Sequence, residues 1–317
     1  MKLIIQIPCY NEEKTLGLTF KDLPRQIEGI DEIEYLIIND GSTDKTCEVA
    51  RKLGFHHIVN FKENQGLARG FMAGLDACIR LGADIIVNTD ADNQYCGQDV
   101  EKLVRPILEQ KADIVIGERP IDEIQHFSWK KKKFQRFGSW VVRVASGTDI
   151  PDAPSGFRAY SREAALRLNV TNSYTYTLEM IIQAGHSNIA MTSVPVRIND
   201  ETRPSRLFSN MRQYIKRSAS VIVRSFIMYK PLKFFLSLGV TVFAFGIIIG
   251  VRFLLSYFAG DGHGHIQSLI LAAVLLLMGF QAIIMGLLAD IIAGNRKIIE
   301  DVQYRVRKME SGNAAEN

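Results

Sequence analysis

The chain is poor in the residues that build covalent and metal scaffolds. Among 317 residues there are four cysteines, Cys9, Cys47, Cys78 and Cys96, and their spacing fits no zinc pattern. Free thiols in a reducing compartment are the expectation. Histidine is scarce: His56-His57 has no partner at ligand spacing, and His263 and His265 fall in a glycine-rich turn. Acid is missing from a whole region. No Asp or Glu occurs from Thr202 to Gly260, whereas eight Lys or Arg lie between Arg203 and Lys233. With a net charge of only +4, this is a local asymmetry, and it calls for an anionic surface, either nucleic acid or membrane. The start lacks the apolar stretch and cleavage site of a secretory leader, because Met1-Lys2-Leu3-Ile4-Ile5 runs straight into a strand pattern.

What the chain does have is two long apolar runs near its end. Phe234 to Val251 and Ile266 to Ala289 carry no charge, and each can cross a hydrocarbon core of about 30 Å as a helix. Lys230 and Lys233 precede the first run, Arg296 and Lys297 follow the second, and the turn between them has no Lys or Arg. The positive-inside rule then places both ends on the cytoplasmic side. Ahead of the spans, residues 205–230 read as amphipathic helices. Leu207, Phe208, Met211, Tyr214, Ile215, Ile222 and Phe226 share one face; Arg206, Arg212, Lys216, Arg217 and Arg224 share the other. A basic face beside apolar residues and a span favours lipid headgroups over nucleic acid, so the bilayer is the expected partner. Lys130 to Lys133, next to Trp129 and Phe127, reads the same way. Gly239, Gly246 and Gly250 in the first span have small-residue spacing, which adds a homo-oligomer to the expected partners.

Residues 1 to 117 alternate strand and helix signals. Lys2 to Ile7, Ile33 to Ile38, His57 to Asn60, Asp84 to Val87 and Asp113 to Gly117 are short apolar runs, separated by helix-length segments such as Ser42 to Leu53 and Gly66 to Leu81. This order predicts an α/β fold with a mostly parallel sheet covered on both faces. Pro154-Ser155-Gly156-Phe157-Arg158 reads as a turn, Ile189 to Ile198 as a later strand, and the tail from Ser311 as disordered. Expected divisions are a catalytic domain over 1–204, interface helices over 205–230, a transmembrane hairpin over 231–291 and a cytoplasmic tail over 292–317.

Polar clusters repeatedly follow the strands, and in such sheets ligands bind at the carboxyl ends. Asp90-Ala91-Asp92 leaves one of these ends. Residues two apart on extended chain point the same way, so two carboxylates converge and repel unless a cation lies between them. Hard oxygen ligands suit Mg²⁺ or Mn²⁺, and Gln94 can add a carbonyl oxygen. Asp40, at another strand end, can accept a hydrogen bond from a nucleobase. Asp44 or Ser42 can cap the following helix.

Together, Ile7-Pro8-Cys9-Tyr10-Asn11-Glu12-Glu13, Asn39-Asp40-Gly41-Ser42-Thr43-Asp44, Asn64-Gln65-Gly66-Leu67-Ala68 and Asp90-Ala91-Asp92-Asn93-Gln94 resemble the family 2 glycosyltransferases in order and spacing. Ser155-Gly156-Phe157-Arg158-Ala159 and Arg203-Pro204-Ser205-Arg206-Leu207 resemble the polyprenyl-phosphate branch, which includes dolichol-phosphate mannose synthases. The resemblance spans roughly residues 1 to 230. It implies a Rossmann-like GT-A fold, a UDP- or GDP-linked sugar donor, an undecaprenyl or dolichyl phosphate acceptor and a divalent metal. It also implies that Pro8, Tyr10, Glu12, Asp40, Asp90 and Ala91 line the nucleotide site, and that Asp90, Asp92 and Gln94 hold the metal. Arg119, Arg136, Arg203 and Arg206 correspond to arginines near the phosphates or sugar and join Asp92 as catalytic candidates. The late basic motif departs from the usual pattern at Arg203-Pro204-Ser205-Arg206. Arg158 and Glu179 are candidates for proximity to sugar or acceptor, each with a structural alternative: an ion pair for Arg158 and a helix surface for Glu179.

Two rival readings stand beside this one. A processive polysaccharide synthase would usually carry Q-x-x-R-W; the nearest string is Gln213-Tyr214-Ile215-Lys216-Arg217, without Trp. A non-catalytic membrane adaptor would not need both Asp90 and Asp92.

Overall fold

The computed structural model describes residues 1–120, 129–170, 176–200, 219–220, 223–224, 227–260 and 266–313. Seven strands are formed by β1 Lys2–Cys9, β2 Glu32–Asn39, β3 His57–Asn60, β4 Ile85–Asn88, β5 Ile114–Glu118, β6 Arg158–Ser161 and β7 Met191–Pro195. Helices α1 Leu16–Asp22, α2 Thr46–Leu53, α3 Leu67–Arg80 and α4 Val100–Leu108 connect the first five. They are followed by α5 Trp129–Ser146, α6 Arg162–Arg167, α7 Thr177–His186, α8 Pro231–Phe258 and α9 Ile266–Asn313. The chain divides into two compact units, one of Met1–Ile222 with Asp301–Asn317 and the other of Val223–Glu300.

In the first unit the sheet order is β3-β2-β1-β4-β6-β5-β7. β1 pairs in parallel with β2 and β4, β2 with β3, and β5 with β7. Only β6 is antiparallel, inserted between β4 and β5. The central strands are nearly continuous runs of Ile, Leu and Val because both faces are covered, and Leu3, Ile4, Ile5, Ile37, Ile86 and Val115 have no exposed surface. β1 continues through Pro8 to Cys9 instead of stopping at the proline. Pro8 sits near the strand's end, where the missing N–H costs little of the ladder. The segment read as a turn delivers β6, so the start of that reversed strand meets the end of β4, with Arg158 level with Asn88. The later strand is shorter than expected, Met191–Pro195.

Of the tail expected to be disordered from Ser311, the described part is helical: α9 continues to Asn313, and Ser311 is buried, while 314–317 lie outside the described residues. Residues from Asp301 onward belong to the first unit, held by several specific contacts. The Arg307 guanidinium pairs with Asp76 on α3 at 3.1 Å and donates to the Leu168 carbonyl at 2.7 Å. Gln303 accepts from Asn169 at 2.8 Å, and Arg167 stacks over the Tyr304 ring at 4.6 Å. Burial pushes the Asp76 carboxyl above its ordinary range, and Arg307 offsets part of that.

In the second unit, α8 and the first part of α9 are each long and apolar enough to span a membrane. Glycines let their backbones approach. A Cβ on Gly239 would stand 2.8 Å from the Gly279 carbonyl oxygen, and one on Gly246 would stand 3.0 Å from the backbone nitrogen of Leu276. Gly239 and Gly246 are therefore used within the hairpin, and the homo-oligomer expected from their spacing loses that support. The interface helices expected over 205–230 fall largely outside the described residues.

Candidate active site

Three loops meet at the carboxyl edge of β1, β2 and β4. The first two interlock through side chains that accept from backbone N–H groups. Asn11, at φ 55°, takes the N–H of Thr43 on its Oδ1 at 2.8 Å, and its own N–H donates to Ser42 Oγ at 3.0 Å. Glu13 N–H donates to Asp44 at 3.1 Å, and Asp44 accepts the Thr46 N–H at 2.9 Å in the first turn of α2. Neither Asp44 nor Ser42 is the N-cap of α2: that position is Lys45, without a side-chain cap, and Asp44 takes the first helical N–H from one residue ahead of it. Burial opposes the Asp44 charge, but hydrogen bonds from Thr46 and Glu13 outweigh it and hold the carboxyl below its usual range. Glu12 is buried and accepts from the Thr15 hydroxyl at 2.7 Å, while Tyr10 remains exposed at the rim.

Asp40 is buried and accepts the N–H groups of Gln65 at 2.6 Å and Gly66 at 3.0 Å, ahead of α3. It therefore closes the β3–α3 loop against the end of β2. Gly41 makes that closure possible. It lies at φ 69°, and a Cβ there would stand 2.6 Å from the Glu63 carbonyl carbon. Gly41→Ala combines a left-handed backbone with a backbone clash and is expected to cost about 1–3 kcal/mol. Urea unfolding of the full chain would measure it; an unchanged midpoint would refute the close approach.

The Asp90-Ala91-Asp92 loop is pinned from both sides. The Thr19 hydroxyl on α1 donates to the Ala91 carbonyl at 3.0 Å. Asn199 donates to the carbonyls of Asn93 at 3.1 Å and Tyr95 at 3.2 Å, and its N–H donates to Gln94 O at 2.8 Å. Asn93 turns the chain at φ 58°, and Asp92 accepts the Gln94 N–H at 3.2 Å. Below the loop lies a buried polar floor. Gln6 on β1 donates to Asn88 on β4 at 3.0 Å; Asn88 in turn donates to Gly156 O and to the Tyr176 hydroxyl, both at 2.9 Å. The Tyr95 hydroxyl accepts the Gly156 N–H at 3.1 Å.

The basic candidates divide. Arg119 forms a fork with Asp152, Nε at 2.7 Å and Nη2 at 2.9 Å, and its backbone N–H donates to the same carboxylate at 3.2 Å. Burial works against the Arg119 charge, but Asp152, Tyr95 and Asp90 outweigh it and raise its affinity for the proton. Asp152 is thus the direct partner of Arg119, and the Asp90 carboxylate adds a smaller favourable charge. Among the described residues Arg158 forms no ion pair, and its guanidinium is taken up by backbone carbonyls. It is fully buried and donates to the carbonyls of Ser155 at 2.7 Å, Ala153 at 2.7 Å and Thr177 at 3.1 Å. A guanidinium closed off in this way is a clamp, joining the segment before β6 to α7. Glu179 is buried in the first turn of α7, not on a helix surface. Arg136 falls within α5, whereas Arg203 and Arg206 lie outside the described residues.

Asp90, Asp92 and Gln94 carry hard oxygens of the kind that Mg²⁺ or Mn²⁺ takes. Among the described residues no group of three His, Cys, Asp or Glu could hold a metal by itself. Two carboxylates alone fit a cation that also takes oxygens from a bound diphosphate. Asp152, Asn88 and Tyr176 were not legible as site residues, since each acts through a neighbour distant in sequence.

The model of the family described as Glycosyl transferase family 2 matches residues 4–168. The chain belongs to that family. This family 2 protein is 33% identical to an uncharacterized protein of Methanocaldococcus jannaschii, over 62% of its own length and 81% of the relative's. It is 24% identical to the polyprenol monophosphomannose synthase of Mycolicibacterium smegmatis, over 70% and 88%. Other relatives, 26% identical, are a UDP-N-acetylglucosamine–dolichyl-phosphate N-acetylglucosaminyltransferase, an undecaprenyl-phosphate mannosyltransferase and a dolichyl-phosphate hexose transferase. Among solved structures, glucosyl-3-phosphoglycerate synthase of Mycobacterium tuberculosis, with Mn²⁺, UDP and its product, shares the GT-A-like fold. Its TM-score is 0.53 and its identity 19%, over 71% of this chain and 78% of that one.

Proposed function

We propose that this protein transfers a sugar from a UDP- or GDP-linked donor to the phosphate of a polyprenyl lipid, at the cytoplasmic face of a membrane. One observation carries the reading: a family 2 sheet edge bearing Asp90 and Asp92 occurs in the same chain as two span-length apolar helices. The relatives named as polyprenyl- or dolichyl-phosphate transferases support the acceptor, and their differing sugars leave the donor open.

The chemistry follows from the acceptor. A lipid monophosphate is already anionic, so its oxygen can attack the anomeric carbon without a strong protein base. What must be stabilised is the departing nucleoside diphosphate. Bound Mg²⁺ or Mn²⁺ would supply charge neutralisation there. Asp90, Asp92 and Gln94 would hold and orient it, with Asp40 and Gly41 shaping the nucleotide end. Arg119, fixed by Asp152, would place fixed positive charge beside the same carboxylates. Direct displacement would invert the anomeric centre, and Arg203 and Arg206 remain proposed phosphate contacts.

The test is nucleoside diphosphate release by the purified full chain. UDP- and GDP-sugars would be supplied with Mg²⁺ or Mn²⁺, with and without undecaprenyl phosphate. Lipid-dependent release with one donor is expected. Release that yields polymer without lipid would favour the processive synthase, and no release across the panel would favour an adaptor.

A further inference from the structure

The floor beneath the acidic pair is costly to build. Gln6 and Asn88 have no exposed surface, and Tyr176 is 1% exposed. Polar groups so deep are unfavourable unless each finds a partner, and a fully paired network fixes one geometry. Here the pairing is directional. Gln6 and Asn88 sit side by side in the β1–β4 register, and the amide of Asn88 presents its hydrogens to Gly156 O and the Tyr176 hydroxyl. The chain even makes room for the amide. A Cβ on Gly74 would stand 2.3 Å from Gln6 Oε1.

Tyr176 itself is held on all sides. Its ring stacks on the buried Phe71 with centroids 3.9 Å apart and planes 4° from parallel. The carbonyl of Thr177, the next residue, is clamped by Arg158. The hydroxyl accepts from Asn88 and donates to Gly156 O at 3.3 Å, so Gly156 is the group that this phenol holds. A Cβ there would stand 3.2 Å from Asp90 Oδ2, 3.3 Å from Asp90 Oδ1 and 3.3 Å from the Tyr176 oxygen. Gly156 thus stands between the phenol that holds its carbonyl and the Asp90 carboxylate, with little room for a side chain.

We infer that Tyr176 is a positioning residue for Asp90 that acts through Gly156: the phenol, set by Asn88, Gln6 and Phe71, holds the Gly156 backbone against the carboxylate and so fixes the orientation in which Asp90 meets the metal–diphosphate. The inference rests on the proposed metal-dependent transfer. It assigns Tyr176 no contact with the reacting atoms. Groups that orient metal ligands typically change metal affinity about 10–100-fold when removed.

The experiment is Mn²⁺ titration followed by electron paramagnetic resonance, on the full chain in detergent with UDP or GDP present. Wild type, Tyr176→Phe and Gly156→Ala would be compared, with the thermal midpoint of each recorded. Tyr176→Phe keeps the stacked ring and removes only the hydroxyl; Gly156→Ala keeps the hydroxyl and brings a methyl against the Asp90 carboxylate. Both are expected to bind Mn²⁺ about tenfold more weakly, with Tyr176→Phe keeping the wild-type melting profile. If one variant fails to fold, the other decides. Variants binding Mn²⁺ within twofold of a binding wild type would overturn the inference alone. A wild type that binds no Mn²⁺ with either nucleotide would overturn the metal reading and this one together.

Discussion

Asp92→Asn should reduce sugar transfer by about 10²–10³-fold while leaving the protein folded and membrane-inserted, the range typical for losing one transition-state stabilising group. The substitution removes one negative charge from the pair. It keeps an oxygen that can still accept the Gln94 N–H, now at 3.2 Å, so the loop geometry has a reason to survive. Thr19 and Asn199 pin the same loop through backbone carbonyls that the substitution does not touch. The loss should therefore fall on the chemistry and on metal affinity, not on the melting midpoint. Donor turnover measured across Mg²⁺ concentration checks this. Full turnover by Asp92→Asn at ordinary Mg²⁺ would remove the acidic pair from the mechanism.

Arg158→Met should have the largest effect on stability, a loss of about 3–5 kcal/mol. The three carbonyls of Ala153, Ser155 and Thr177 would each lose a charged donor in a place water does not reach. Removing a buried charge relieves some desolvation, and Thr177 keeps its helical hydrogen bond in α7, but the Ala153 and Ser155 carbonyls, orphaned at about 1–3 kcal/mol each, outweigh that relief. Arg158→Lys should rescue little, because a point charge cannot reproduce a planar fork reaching three diverging oxygens. Chemical unfolding of the full chain reads the result. A folded Arg158→Met protein of unchanged stability but poor turnover would return Arg158 to the substrate.

These residues show what was legible in the sequence. The strand ends before Asn11, Asp40 and Asp90 were readable because an apolar run ending in polar residues is a local signal. β6 was not. Its approach carries Pro154, Ser155 and Gly156, which look like a turn, and its first residue is an arginine, a type rarely buried. Only the sheet supplies the partners that make burial of Arg158 tolerable. Tyr176 was hidden for a related reason, since its meaning depends on Asn88 and Gly156, 88 and 20 residues away. The helical end of the chain was masked by its composition. Polar residues around Ser311 suggest disorder, and the pairing of Arg307 with Asp76 cannot be seen from either residue alone.

The unbroken course of α9 has a consequence for how this chain can vary. A helix rises about 1.5 Å and turns about 100° with every residue. Gln303, Tyr304 and Arg307 must present one face to Asn169, Arg167 and Asp76. Within the first unit these three positions lie close to one turn apart, so a one-residue insertion between Tyr304 and Arg307 would swing the Arg307 side chain about 100° away from Asp76 and the Leu168 carbonyl. Length between these positions should therefore be far less tolerant of change than the identity of the exposed residues around them.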